Sequence, residues 1–215
     1  MKNTKSPKKQ IYDFFITSLE NFTLKPGDRV KEEDIAVKTG FSRTPVREVL
    51  ALLANEGLIE SSVDGLRISI LDENSITQLY EMREILEGTA ASFAAIHANE
   101  IEIAALEEIV LREKELTISS QIIQNNRLFH SMLFRCAHNK FLVKTINELT
   151  NTLLLLGKST LSDEKRKEEA YEEHIKIVEA LKNHDSSAAK KYAKEHIKNA
   201  YKARIKIFLQ DGKIL

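Results

Sequence analysis

The stretch GFSRTPVREVLALLANEGLIE, residues 40–60, carries two kinds of surface on one short segment. Val46, Val49, Leu50 and Leu53 recur at the i, i+3, i+4, i+7 spacing that lines one side of a helix for burial. Arg43 and Arg47 are four residues apart and share a different side near the helix start. Ser42 and Thr44 stand where a helix cap belongs. Pro45 is tolerated because first-turn N–H groups have no helical partner anyway. Gly57 supplies the stop. The spacing predicts a helix over 43–55 with a core face and a separate arginine face.

The neighbours of this helix give it a setting. Ile11, Phe14, Phe15, Ser18 and Leu19 form a helical stripe over 8–20. LKPGDRV at 24–30 reads as a turn around Pro26-Gly27, and a short helix over 32–39 ends at Gly40. After the central helix, LIESSVDGLRISIL at 58–71 changes to a period of two. Ile59, Ser61 and Val63, then Leu66, Ile68 and Ile70, alternate with polar residues around Asp64-Gly65, so a small hairpin is expected. From Asp72 onward the pattern is helical, with helices expected over about 73–98, 100–117, 119–137, 140–158, 163–182 and 186–209. Asp72, Ser75, Ser162 and Asp185 are candidate N-caps. Asn183-His184-Asp185 separates the last two helices and makes them an antiparallel pair. The expected fold is mainly α. A winged helix–turn–helix with a β-hairpin wing occupies 1–71, and an all-α bundle of about six helices occupies 72–215.

Composition agrees with that class. Apolar residues make up 42% and charged residues 30%, which suits a globular chain rather than a disordered one. Seven Gly and three Pro are few breakers, which favours helices over a turn-rich β fold. The lone Cys136 has no internal disulfide partner, and a reducing cytoplasm is the simplest location. Its plain reading is a small buried apolar residue. The basic start MKNTKSPKKQ leads into an amphipathic stretch rather than an apolar signal core, and Leu153–Leu156 is too short a run to span a bilayer. No membrane partner is expected. Net charge is zero, so bulk charge does not announce a nucleic-acid binder, and that reading rests on local placement.

Locally the case is specific. Helix, short helix, tight turn, second helix and hairpin is the order of a winged helix–turn–helix. A recognition helix reads base edges in the major groove with its N-terminal residues. Arginine suits that position because its guanidinium can donate two hydrogen bonds to guanine O6 and N7. Ser42, Thr44 and the helix N-terminus can hold a phosphate. The plain alternative is a surface helix whose arginines pair with Glu48 or Asp34.

A second constellation lies in the helical block. His174 and His196 are equally far in sequence from Asp185, so an antiparallel turn there sets them at about the same height on facing helices. Asn126 and His130 are four apart on one helix face, the spacing of two side chains that share a metal. Imidazole suits zinc, nickel, copper or iron, and an asparagine can add a carbonyl oxygen. Buried histidines bonded to backbone or carboxylate are the plain alternative. Arg83 either faces a cavity to meet an acidic effector or pairs with Glu87 on the helix surface. His138 reads as a cap or surface residue, and the basic run Lys190, Lys191, Lys194, Lys198 and Lys202 reads as a solvated face.

LKPGDRVKEEDIAVKTGFSRTPVREVLALLANEGLIE, residues 24–60, resembles the DNA-binding domain of the GntR family of bacterial transcriptional regulators. The resemblance implies that Arg43, Thr44 and Arg47 contact DNA, with Ser42 at the helix start and Gly65 at the wing tip. Arg67 is the single base of a wing that is less basic than is common in the family. LYEMREILEGTAASFAA at 79–95, NRLFHSMLFRCAHNKFL at 126–142 and the run at 172–197 resemble the all-helical FCD effector domain of one large GntR subfamily. Many members of that subfamily bind a divalent metal through an Asp-x-x-x-His pair and two later histidines. The matching positions here are Asn126, His130, His174 and His196, with Asn126 departing from the commoner Asp.

The expectation is therefore a homodimeric regulator. It would bind a palindromic double-stranded DNA operator and respond to a small carboxylate-type effector, held near a zinc or nickel ion and Arg83. The rival class is a metal-dependent enzyme with an open three-histidine site. That would need a general base or nucleophile, and no such spacing is present.

Overall fold

The computed structural model describes residues 6–210 and divides them into two compact units. The first unit holds the chain up to Asp72 together with Glu148–Gly157, and the second holds Glu73–Asn147 and the chain from Lys158.

The first unit starts with α1 (Pro7–Glu20), whose N-cap Ser6 accepts from the Lys9 backbone N–H. Strand β1 (Arg29–Val30) precedes α2 (Glu32–Thr39), which ends at Gly40 in the left-handed region at φ 74°. Helix α3 (Arg43–Asn55) then runs to the hairpin of β2 (Ile59–Ser62) and β3 (Gly65–Ile68). Antiparallel pairing gives the sheet order β1-β3-β2. Ser62 faces Gly65 in the register, so Val63-Asp64 is the two-residue loop. The 24–30 stretch is thus more than a turn: Arg29 and Val30 pair with Arg67 and Leu66 and add a third strand to the wing sheet.

Periodicity becomes packing in this unit. Val46, Val49, Leu50 and Leu53 are at most 2% exposed and meet Ile11, Phe15, Leu19, Ile35, Leu58, Ile59 and Ile68 in one core. Each such side chain stabilises the fold by about 1.5–3 kcal/mol through burial. Leu155 completes that core from far along the chain. Close by, the Asn151 amide donates to the Tyr12 hydroxyl at 2.9 Å, and that hydroxyl donates to Glu56 at 2.7 Å. Burial first, and then the Glu56 carboxylate, raise the Tyr12 pKa.

The second unit contains six α-helices among the described residues: α4 (Glu73–His97), α5 (Glu100–Arg112), α6 (Ser119–Cys136), α7 (Lys140–Thr152), α8 (Glu164–Lys182) and α9 (Ser186–Gln210). The last turns of α7 cross into the first unit. Residues expected to extend α7 to 158 instead form a 3-10 turn over Leu153–Leu156 that ends at Gly157. Asn99 and Glu102 form a reciprocal capping box at the start of α5. Asp163, rather than Ser162, caps α8, and Asp185 accepts from the Ala188 N–H at the start of α9.

Helices α4 and α9 lie close because small residues face each other. Gly88, Ala91 and Ala95 are buried on α4, and Ala189, Ala193 and Ala200 on α9. A Cβ placed on Gly88 would meet Lys194 Cγ at 2.7 Å. This close approach brings polar residues of α4, α6, α8 and α9 into one buried cluster.

Candidate functional site

Two separate clusters of functional side chains result, one in each unit. In the first, the buried face of α3 turns Ser42, Arg43, Thr44 and Arg47 outward, all four exposed. Ser42 occupies the N-cap position in an extended conformation, but its side chain makes no capping hydrogen bond. Neither arginine is loose. Arg47 donates from Nε and Nη2 to the two oxygens of Glu32, both at 3.0 Å, and Arg43 donates to Glu33 at 2.8 Å. Their partners are thus the first two residues of α2, not Glu48 or Asp34. Glu48 meets Lys8 instead, at 3.1 Å. The hydrogen bond from Arg47 holds the Glu32 carboxyl below its usual range. On the wing, Val63, Asp64 and Gly65 are exposed. Arg67 is latched, donating to both oxygens of Asp64 and, at 2.9 Å, to the Gly27 carbonyl.

The second cluster is buried. His130 of α6, His174 of α8 and His196 of α9 are 9%, 0% and 4% exposed. Their ring centroids stand 4.6 Å apart for His174 and His196, 5.2 Å for His130 and His196, and 5.6 Å for His130 and His174. One ring nitrogen from each lies within 4.8 Å of the others. The antiparallel turn at 183–185 thus sets His174 and His196 level and facing.

Each histidine also has its own carboxylate. His174 Nδ1 is 2.9 Å from Glu113 Oε1, and His196 Nδ1 is 2.7 Å from Glu173 Oε2. His130 Nδ1 is 2.9 Å from Glu87 Oε2, but off the direction of a hydrogen bond. Such carboxylates orient an imidazole and fix which nitrogen carries the proton. His174 Nε2 is buried without a hydrogen-bond partner among the described residues. A nitrogen lone pair left over at the centre of three imidazoles suits a divalent transition metal. Burial, then mutual charge repulsion for His196 and despite Glu113 for His174, push both pKa values down, so both rings are neutral near pH 7 and able to ligate.

The remaining predicted residues fall around this centre. Asn126 is half-buried one turn before His130. Its neighbour Asn125 is the more buried, and donates to the Ile109 carbonyl at 2.9 Å. Arg83 and Glu87 do pair at i,i+4, at 2.7 Å, but inside the bundle rather than on its surface. Burial alone would raise the Glu87 pKa; Arg83 and His130 outweigh it and hold it at about 2. Glu113, Glu173 and Arg166 were not singled out in the sequence, where they sit in charged runs without a distinguishing period. A cavity of about 790 Å³ is lined in part by Glu113 and Glu173. His138 pairs with Glu102 at 2.9 Å on the surface. Cys136 is buried, which pushes its thiol up to about 11. Among the described residues, no helix is long and apolar enough to cross a membrane.

A winged helix–turn–helix with an outward arginine face, followed by a helical bundle with a buried polar centre, defines a class: DNA-binding regulators with a separate helical domain. Comparison with known proteins specifies it. Residues 7–65 match the bacterial regulatory proteins of the gntR family and residues 78–199 match the FCD domain, so the chain belongs to the GntR family, in the branch that carries an FCD domain. It is a transcriptional regulator and not an enzyme.

The chain is 29% identical to the HTH-type transcriptional regulator YdhC of Bacillus subtilis, over 95% of its length and 93% of that protein's. It is 30% identical to a probable D-xylose utilization operon transcriptional repressor of Paenarthrobacter nicotinovorans, over 87% and 84%. It is 27% identical to the Uxu operon transcriptional regulator of Escherichia coli, over 81% and 77%. Among solved structures, E. coli McbR/YncC superposes with a TM-score of 0.80 at 22% identity, over 96% of this chain and 98% of that one, which shows the shared fold.

Proposed function

We propose that this regulator reads a palindromic operator as a homodimer and changes its operator affinity when a small organic acid binds at a metal centre in the helical domain. The observation that carries the reading is the inward set of three histidines, each backed by a carboxylate. His130, His174 and His196 would hold the ion, zinc or nickel, with Asn126 as a weaker oxygen donor one helical turn away. A metal there supplies a Lewis-acidic point that a ligand oxygen can complete. Arg83, buried beside Glu87, supports a cationic wall for an acidic effector. In the first unit, Ser42, Arg43, Thr44 and Arg47 would meet bases and phosphates, and Gly65 and Arg67 would bring the wing to the duplex.

A ligand regulates only if it binds one state of the protein better than the other. Relatives carry the names of a D-xylose utilization operon and of the Uxu operon, and a sugar-derived acid is the class of effector we favour. Arg47→Ala is expected to abolish specific operator binding in a gel-shift titration at fixed salt, with fold and oligomeric state unchanged. Unchanged binding removes the DNA assignment. Elemental analysis of protein purified without nickel resin is expected to find about one transition-metal ion per chain; only trace metal overturns the metal centre.

A further inference from the structure

We propose that Arg166 is the receptor for the anionic group of the effector, and that the effector is a bifunctional acid bridging Arg166 and the histidine centre. This rests on the reading of the helical domain as the effector-binding part.

Arg166 is the third residue of α8, where the Asp163 cap fixes the helix start by accepting from its backbone N–H at 2.9 Å. From there its side chain turns inward, and the residue is 5% exposed. A guanidinium carries only donors, five N–H groups on three nitrogens. Nη2 is used: it donates to Glu173 Oε2 at 2.7 Å. Nε and Nη1 are buried and have no hydrogen-bond partner among the described residues.

Glu173 cannot supply the missing acceptors. Its Oε2 is shared with His196 Nδ1 at 2.7 Å, and its Oε1 accepts from the Asn199 amide at 2.7 Å. Moving that carboxylate toward Nε or Nη1 would release His196 and Asn199. Burying a cation with two donor nitrogens unmet is costly, and an apolar residue of similar volume would stabilise the bundle more. The arginine makes chemical sense if an oxyanion completes it. A carboxylate or phosphate is acceptor-only and oppositely charged, the partner to which arginine is best matched.

Position then narrows the ligand. Arg166 Nη2 and His196 Nδ1 meet on the same oxygen of Glu173, so an anion on Arg166 lies near the His196 ring, one member of the histidine centre. A molecule that carries a hydroxyl or a second carboxylate a few bonds from its anionic end could reach both. Hydroxy acids and sugar acids have that form, and neutral sugars lack the anion. Arg83 is the contrasting case: its Nε is taken by Glu87 at 2.7 Å, and none of its nitrogens is left buried without a partner.

The test uses the full-length, zinc-loaded protein. Malate, gluconate, glucuronate and inorganic phosphate are titrated calorimetrically, with D-xylose as the uncharged control. At least one anion is expected to bind saturably and D-xylose is not. Phosphate binding without any carboxylate binding would assign a phosphate ligand to Arg166 and overturn the bridging acid. Arg166→Met is expected to weaken the anion at least tenfold, while its zinc affinity, read by competition with a chromophoric chelator, stays within threefold of wild type.

Anion binding unchanged in Arg166→Met, or no binding of any probe to the wild type, overturns the proposal. If Arg166→Met loses zinc or fails to fold, Arg166→Lys decides. Lysine keeps the charge on Glu173 but not the fork, so weakened anion binding with zinc retained supports the proposal. Unchanged anion binding, or loss of zinc in this variant too, overturns it in favour of a structural arginine. Gel shifts with the same proteins separate this inference from the regulatory reading. Anion binding that depends on Arg166 but leaves operator affinity unaltered keeps the receptor and removes the effector role.

Discussion

At the start of α3, Arg47 already satisfies its guanidinium by gripping both oxygens of Glu32, while Arg43 does the same with one oxygen of Glu33. The acidic start of α2 therefore holds both arginines, and under the proposed DNA contact it competes with DNA for them. Glu32→Gln is expected to strengthen binding to random-sequence DNA several-fold while narrowing the preference for operator, measured as the ratio of two gel-shift titrations at one salt concentration. A fall in both affinities would instead mark Glu32 as an orienting group that the complex needs. A second residue-scale prediction concerns acid. His174 and His196 have folded pKa values below the ordinary 6.5, so below that pH the unfolded chain takes up protons that the folded chain refuses. Chelator-treated protein should thus be most stable above pH 6.5 and lose melting temperature as the pH falls below it; Glu87, held at about 2, extends the loss below its ordinary 4.5. A flat melting profile between pH 7 and 5 would contradict the buried neutral imidazoles. His174 and His196 were legible from their equal spacing about a turn, and His130 from its i,i+4 spacing with Asn126. Their carboxylates were not, because Glu113–His174 joins residues from helices whose packing no local period reveals.

Among the elements, α3 has the bounds that its apolar stripe and flanking glycines imply, since a long amphipathic period and a left-handed stop act locally. Two other stretches differ from their patterns. The 24–30 turn hides β1, two residues long, which forms only because β3 offers it a free edge. The apolar run after Thr152 tightens into a 3-10 turn before Gly157, where Leu155 enters the core of the first unit. Both are cases in which tertiary partners outweigh local pattern. Two element-scale variants follow. Gly88→Val presses a branched side chain on Lys194 Cγ and forces α4 from α9, an overpacking expected to cost ~1–3 kcal/mol in chemical denaturation. Asn99→Ala removes the capping box of α5 and is expected to cost ~1 kcal/mol, or about 2–4 °C in melting temperature for a domain of this size. A variant as stable as wild type would show, respectively, that the helices can yield or that the cap is redundant.

For the whole molecule, the order of domains was readable because each half has its own period and its own motif. What was not readable is that the first unit is discontinuous: Glu148–Gly157 returns to it after most of the second unit has been made. Deleting that return, or changing Asn151 and Leu155 to Ala together, is expected to destabilise the DNA-reading unit by several kcal/mol, chiefly through the emptied Leu155 site at ~2–5 kcal/mol. Retained stability in a 1–72 fragment would contradict this. The same return bears on heredity. An exchange of DNA-binding heads between relatives by a single crossover near residue 72 would pair a new head with the old head's Asn151 and Leu155. The new Tyr12 and core positions would then meet a strap selected for someone else. Functional chimeras of this regulator should need two exchanges, one of the chain up to Asp72 and one of Glu148–Gly157 between the helices of the second unit, and heads in such a lineage would be inherited with their straps rather than shuffled alone.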